Sequence, residues 1–172
     1  MDKNMKKSVV TVGNRSAEPL FALSPRTVQS DKFWRWGDDN MMPYALSLMS
    51  RRSTTHRRII NDKADYISGK GLTCEESAPH TAALIKRANP EGDSLRSVLN
   101  RLAMDKALFG NAFAEVVTDT ERTFLALFHQ DASRCRLSRD GAGVLLHHDW
   151  SRPSSGEMKY LPLFPAFAEG DD

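Results

Sequence analysis

Between Ser94 and Val117 the chain reads SLRSVLNRLAMDKALFGNAFAEVV, and its periodicity changes once. Leu95, Val98, Leu99, Leu102 and Phe109 recur at the three-and-four spacing of a single helical face. Beyond Asn111 the pattern turns to alternation, Ala112, Ala114 and Val116 against Phe113, Glu115 and Val117, and the branched valines favour a strand. Gly110-Asn111 separates the two regimes. That pair tolerates left-handed backbone angles, so it can end a helix and redirect the chain at the same point. A helix-turn-strand corner of this kind restricts the fold to a layered packing of helix on sheet. It holds no nucleophile beside a base, so it speaks for architecture and not for chemistry.

The flanking segments extend the reading. Residues 1–32 lack periodicity and are rich in Ser, Pro, Lys and Asn, which predicts an arm ordered only where something holds it. Asp39 or Asn40 is expected to cap a helix that Pro43 helps to start, with Tyr44, Ala45, Leu48 and Met49 on its apolar side. Ser53 or Thr54 caps a second helix with a buried stripe of Ile59, Ile60, Ala64 and Ile67, stopped by Gly69. A short helix over 81–88 ends at Asn89-Pro90, and Gly92-Asp93-Ser94 caps the helix that follows. After Val117 the pattern is β: short strands over 124–128, 135–137, 144–147 and 160–163, with Arg139-Asp140-Gly141 as a hairpin turn. Helices followed by a small, mostly antiparallel, meandering sheet give an α+β fold. The expected organisation is an arm to residue 32, an α+β unit over 33–167, and an acidic end over 168–172.

A chain of 172 residues is one ordinary domain's worth of material. Its net charge of +2 argues against a dedicated nucleic-acid binder, although RRSTTHRR at Arg51–Arg58 gathers four arginines and no acid. Two cysteines, Cys74 and Cys135, do not make a disulfide scaffold and fit a reducing compartment. No apolar run approaches the ~20 residues of a membrane span, and the N-terminus lacks the apolar core of a signal peptide.

Residue types that could carry chemistry fall short of a constellation. His147-His148 with Asp149 and His129 suggests a metal, but adjacent strand residues point to opposite faces. Cys135 and His129 have neither an orienting third group nor an oxyanion loop, and a buried structural cysteine is expected. Gly69-Lys70-Gly71 fails as a phosphate loop, because Ala64 stands where the leading glycine belongs and a helix precedes it. Asp38, Asp39, Asp62 and Asp65 read as caps and a solvated helix face before they read as magnesium ligands. No catalytic, cofactor or metal residue is therefore assigned. Two contact candidates remain: the guanidiniums of Arg51, Arg52, Arg57 and Arg58, suited to phosphates or to carboxylates of a neighbour, and the pair Trp34 and Trp36, suited to docking or to closing the chain's own core.

Taken in order, FWRWGDDNMMPYALSLM, STTHRRIINDKADYISGKGL, LAMDKALFGNAFAEVV, LFHQDASRCRL and DGAGVLLHHDW resemble tailed-bacteriophage portal proteins. The likeness is greatest to portals of phages and prophages from Bacteroidetes-type hosts, and it covers Phe33 to Phe167. It implies the wing-like α+β part of a portal subunit: a structural protein and not an enzyme, without cofactor. Such a protein assembles as a homo-oligomeric ring, commonly dodecameric, at one capsid vertex. It contacts terminase, capsid and head-tail connector proteins and passes double-stranded DNA during packaging and ejection. The resemblance implies a location in the virion, and in the host cytoplasm during assembly. Stem helix, clip and tunnel loop have no positions in this sequence, so an N-terminal piece or a truncated gene is expected. The alternative from the residues alone is a small nucleic-acid-binding accessory module using Arg51–Arg58.

Overall fold

The computed structural model describes residues 6–11, 32–75, 79–119, 124–154 and 156–164. In chain order these form β1 (Lys6–Thr11), α1 (Met42–Arg52), α2 (Thr54–Ser68), α3 (Pro79–Lys86), α4 (Leu95–Phe109), β2 (Phe113–Thr118), β3 (Phe124–Gln130), a 3-10 turn (Ala132–Arg134), β4 (Cys135–Leu137), β5 (Gly143–Leu146) and β6 (Lys159–Pro162). The fold is α+β, as the change of periodicity predicts. Its strands form two three-stranded antiparallel sheets, β1-β2-β3 and β4-β5-β6, where one meander was expected. No helix among the described residues is long and apolar enough to cross a membrane.

The helix-turn-strand corner forms as read. Ser94 caps α4 by accepting from the Ser97 N–H, and Gly110 closes it at φ 76°. The strand after the corner departs from simple alternation, because every residue of β2 is buried. It is the central strand of its sheet, and both faces are covered. Ala112 and Ala114 pack with Val98 and Leu102 of α4, while Phe113 points into a second cluster with Cys135, Val144 and Leu161 of the other sheet. Burying Val98 and Leu102 contributes roughly 1.5–3 kcal/mol each before chain entropy is counted.

The arm reading needs correction at its start. Lys6–Thr11 pairs along the full length of β2, with Thr11 opposite Phe113. A strand edge offering free main-chain groups supplies what holds this segment, and low hydrophobicity gives no warning of it. The rest of the expected arm, 1–5 and 12–31, and the acidic end lie outside the described residues.

Helix caps and faces show where local rules yield. Ser53 ends α1 and caps α2 through the His56 N–H, so the two helices meet at a single extended residue. The expected stripe of α2 divides: Ile60 and Ala64 are buried, whereas Ile59 and Ile67 are more than half exposed. Ile59 and Ile60 differ by about 100° around the axis, and α4 covers only one side. Its contact with α2 carries a polar seam, Asn100 Nδ2 donating to Asp65 Oδ1 at 2.8 Å and to Ser68 Oγ at 3.1 Å. On α1 the expected apolar side likewise remains largely outside, with Leu48 and Met49 exposed and Pro43 and Ser50 buried.

Candidate functional site

The segment Trp36–Asn40 folds into a turn, and Asn40 is not the cap expected of it. Gly37 and Asn40 take positive φ, 81° and 62°, and the Asn40 N–H donates to the Gly37 carbonyl. Asp39 Oδ1 accepts from the Met41 N–H at 2.9 Å, while α1 has no side-chain cap. Asn40 is instead turned inward onto Arg136, which is fully buried. Arg136 Nε donates to Asn40 Oδ1 at 2.6 Å and Nη2 to the Asn40 carbonyl at 2.9 Å. Its Nη1 donates to the Ser133 and Cys135 carbonyls at 3.0 and 2.8 Å. The guanidinium lies 4.8 Å from the Trp150 ring centre and 5.5 Å from that of Trp36. Amide-type oxygens and two π faces thus solvate this charge, and burial brings its pKa down to about 10.

This knot fixes Trp36, and with it the fate of the expected tryptophan pair. Trp36 packs on the central cluster and tilts against Phe109. Trp34 is 54% exposed, with the Arg139 guanidinium 4.8 Å above its ring. The two rings therefore do not share one outward face. Spacing alone misleads here because the chain bends from Trp36 onward into the turn that ends at Asn40.

A cleft of about 810 Å³ opens beside this knot. Tyr44, Leu48 and Arg51 of α1, Arg57, Ile60 and Asn61 of α2, and Arg101, Met104, Asp105 and Leu108 of α4 form its walls, and His129, Asp131, Ser133 and Arg134 close one end. The elbow at Ser53 brings Arg51 and Arg57 to the same cleft. Arg52 and Arg58 do not line it; Arg58 approaches Asp62 at 3.6 Å across a fully wet helix face. The arginine run is thus divided between cleft and surface.

Sequence reasoning missed Arg101, Arg134, Asp105 and Asn61, which come from separate elements and form no local motif. Arg101 pairs with Asp93, and the bonds from Arg101 and Asn89 hold the Asp93 carboxyl below the usual carboxylate range. Asp105 accepts from the Ala132 N–H at 2.9 Å and lies 2.8 Å from His129 Nε2. That contact engages the imidazole which a thiol-base pair would need. Cys135 Sγ donates to the Asp131 carbonyl at 3.3 Å, and burial, with the nearby Asp131 and Asp105 charges, pushes its pKa far up. It is a structural thiol.

The histidine run is likewise structural. His147 is buried, its Nδ1 2.7 Å from the Asp149 carbonyl and its ring edge-on to Trp150, whereas His148 is exposed. Among the described residues no group of three His, Cys, Asp or Glu is placed to hold a metal ion. Compared with known proteins, the chain matches no family model, no curated protein and no solved structure.

Proposed function

We propose that this protein is a portal-type structural subunit, or the N-terminal wing-like piece of one, and works by packing against copies of itself in a ring. The observation that carries the reading is the outer face of α1 and α2. Met49, Ile59 and Ile67 are 63%, 55% and 63% exposed, and Tyr66 is 89% exposed. On α2, Ile59, Tyr66 and Ile67 lie on one broad side of the helix, two turns apart, with exposed Asp62 and Lys63 between them. Aromatic and aliphatic groups beside arginines have the composition of a subunit interface. Scattered single hydrophobics need no explanation, but Met49, Ile59, Tyr66 and Ile67 are all exposed on two consecutive helices that also carry Arg52 and Arg58. The motif order from Phe33 to Phe167 supports the same reading. DNA packaging and ejection, terminase and connector contacts, and a place at the capsid vertex belong to it as proposals.

The test is native mass spectrometry with negative-stain electron microscopy of the gene product expressed with its downstream reading frame. Closed rings that Ile59→Glu with Ile67→Glu disperses support the reading. A strictly monomeric particle refutes it.

The exposure of Arg51, Arg52, Arg57 and Arg58 favours a second reading, duplex-DNA binding. It expects an affinity that falls steeply with salt and weakens when Arg52 and Arg58 are reversed in charge. Absence of binding at low salt removes it.

A further inference from the structure

The cleft between α1, α2 and α4 is unlike the outer face in both shape and charge. Its two carboxylates are already engaged: Asp105 by the Ala132 N–H and His129, and Asp131 by the Ser133 N–H and hydroxyl at 2.8 and 2.6 Å. Arg51, Arg57 and Arg134 line the same space and make no ion pair among the described residues. The uncompensated charge of the cleft is therefore positive. Leu48, Met104 and Leu108 add aliphatic surface to the same lining.

Two further atoms narrow the class of ligand. Asn61 Oδ1 and Arg101 Nε are buried in the cleft walls and lack a hydrogen-bond partner among the described residues. One is an acceptor and the other a donor, and each unpaired buried group costs about 1–3 kcal/mol. A phosphodiester linkage offers only acceptors, so a nucleic acid could answer Asn61 only through a base N–H. A peptide brings N–H groups for Asn61 and carbonyl or carboxylate oxygens for the guanidiniums.

We infer that this cleft is a docking site for a peptide segment of a partner protein, one that carries both carboxylate and large aliphatic side chains. The carboxylates meet Arg51, Arg57 and Arg134, and the aliphatic groups settle against Leu48, Met104 and Leu108. The inference uses a surface distinct from the Ile59–Ile67 face and stands whether or not the protein forms rings.

The experiment is fluorescence anisotropy of the full chain with a labelled short peptide alternating Asp and Leu. Its counterpart with Asn for Asp and a single-stranded oligonucleotide serve as competing probes. The acidic peptide is expected to bind at least tenfold more tightly than the amide version, and Arg51→Glu with Arg57→Glu is expected to remove that preference. Both arginines are exposed, so the variant is expected to keep its thermal unfolding curve. Should it not, methyl spectra of the unaltered protein decide: peptide-induced shifts at Leu48, Met104 and Leu108 support the site, and their absence overturns it. Equal binding of acidic and amide peptides, tighter binding of the oligonucleotide, or no peptide binding also overturns it.

Discussion

Replacing Arg136 by Met separates two accounts of a buried charge. The four hydrogen bonds from this guanidinium end on Asn40 Oδ1 and on the carbonyls of Asn40, Ser133 and Cys135. At roughly 1.5 kcal/mol net for each bond from a charged donor, they contribute about 6 kcal/mol. Against this stands the cost of desolvating the charge. The lowered pKa shows the direction of this cost, and it places the expected loss in the lower half of the hydrogen-bond sum. Methionine refills most of the volume, so the cavity contribution is small. The net expectation for Arg136→Met is a loss of about 3 kcal/mol, which lowers the melting temperature by roughly 6–12 °C. Urea unfolding followed by tryptophan fluorescence suits the assay, because Trp36 and Trp150 flank the guanidinium. A lowered midpoint at unchanged slope is the expected result. A variant as stable as the parent refutes the reasoning, and places Arg136 with those buried ions that hydrophobic residues replace without loss.

Three further outcomes follow from the same geometry. Asp93→Asn should flatten the acid limb of the stability profile. The folded Asp93 pKa is depressed, so its contribution is full above the unfolded value near 4 and is lost as pH falls through the lower folded value; thermal melts between about pH 2 and 6 check it. At neutral pH a thiol reagent should label half-buried Cys74 first, while Cys135 should react only as the chain unfolds, as mass analysis of peptides would reveal. Glu115→Ala should lower unfolding stability by roughly 2–3 kcal/mol in urea titrations, since the buried carboxylate joins Gln130 of its own sheet to Lys159 of the other.

Much of the fold is legible in the residues. Ser94 and Gly110 bound α4 because a short hydroxyl side chain and a left-handed glycine meet needs local to a helix end. The Asp140-Gly141 turn obeys a similar local rule, with Gly141 at φ 69°. Strand β4 falls on the residues read for it, Cys135–Leu137. Lys6–Thr11 was not legible as a strand, because its order comes from pairing with β2 and not from its composition. The division of Ile59 from Ile60, and of Trp34 from Trp36, was illegible for a related reason. Each depends on which side a partner element covers.

The candidate cleft shows the same limit more severely. Arg51 and Arg57 stood out as part of a basic run, and the structure sends them one way and Arg52 and Arg58 another. Arg101, Arg134 and Asn61 carried no signal of their own, since residues from α2, α4 and the 3-10 turn meet only after the helices pack.

Unaided, the amino-acid order determined the kind of every helix and strand after β1, the ends of α2, α4 and β4, and the α+β class, because caps, glycine torsions and hydrophobic periods act over a few residues. Only the assembled fold decided that β2 is covered on both faces, that Asn40 clamps Arg136, and where the cleft opens. Those outcomes depend on contacts such as Arg136 to Asn40, 96 positions apart along the chain, which no local pattern encodes.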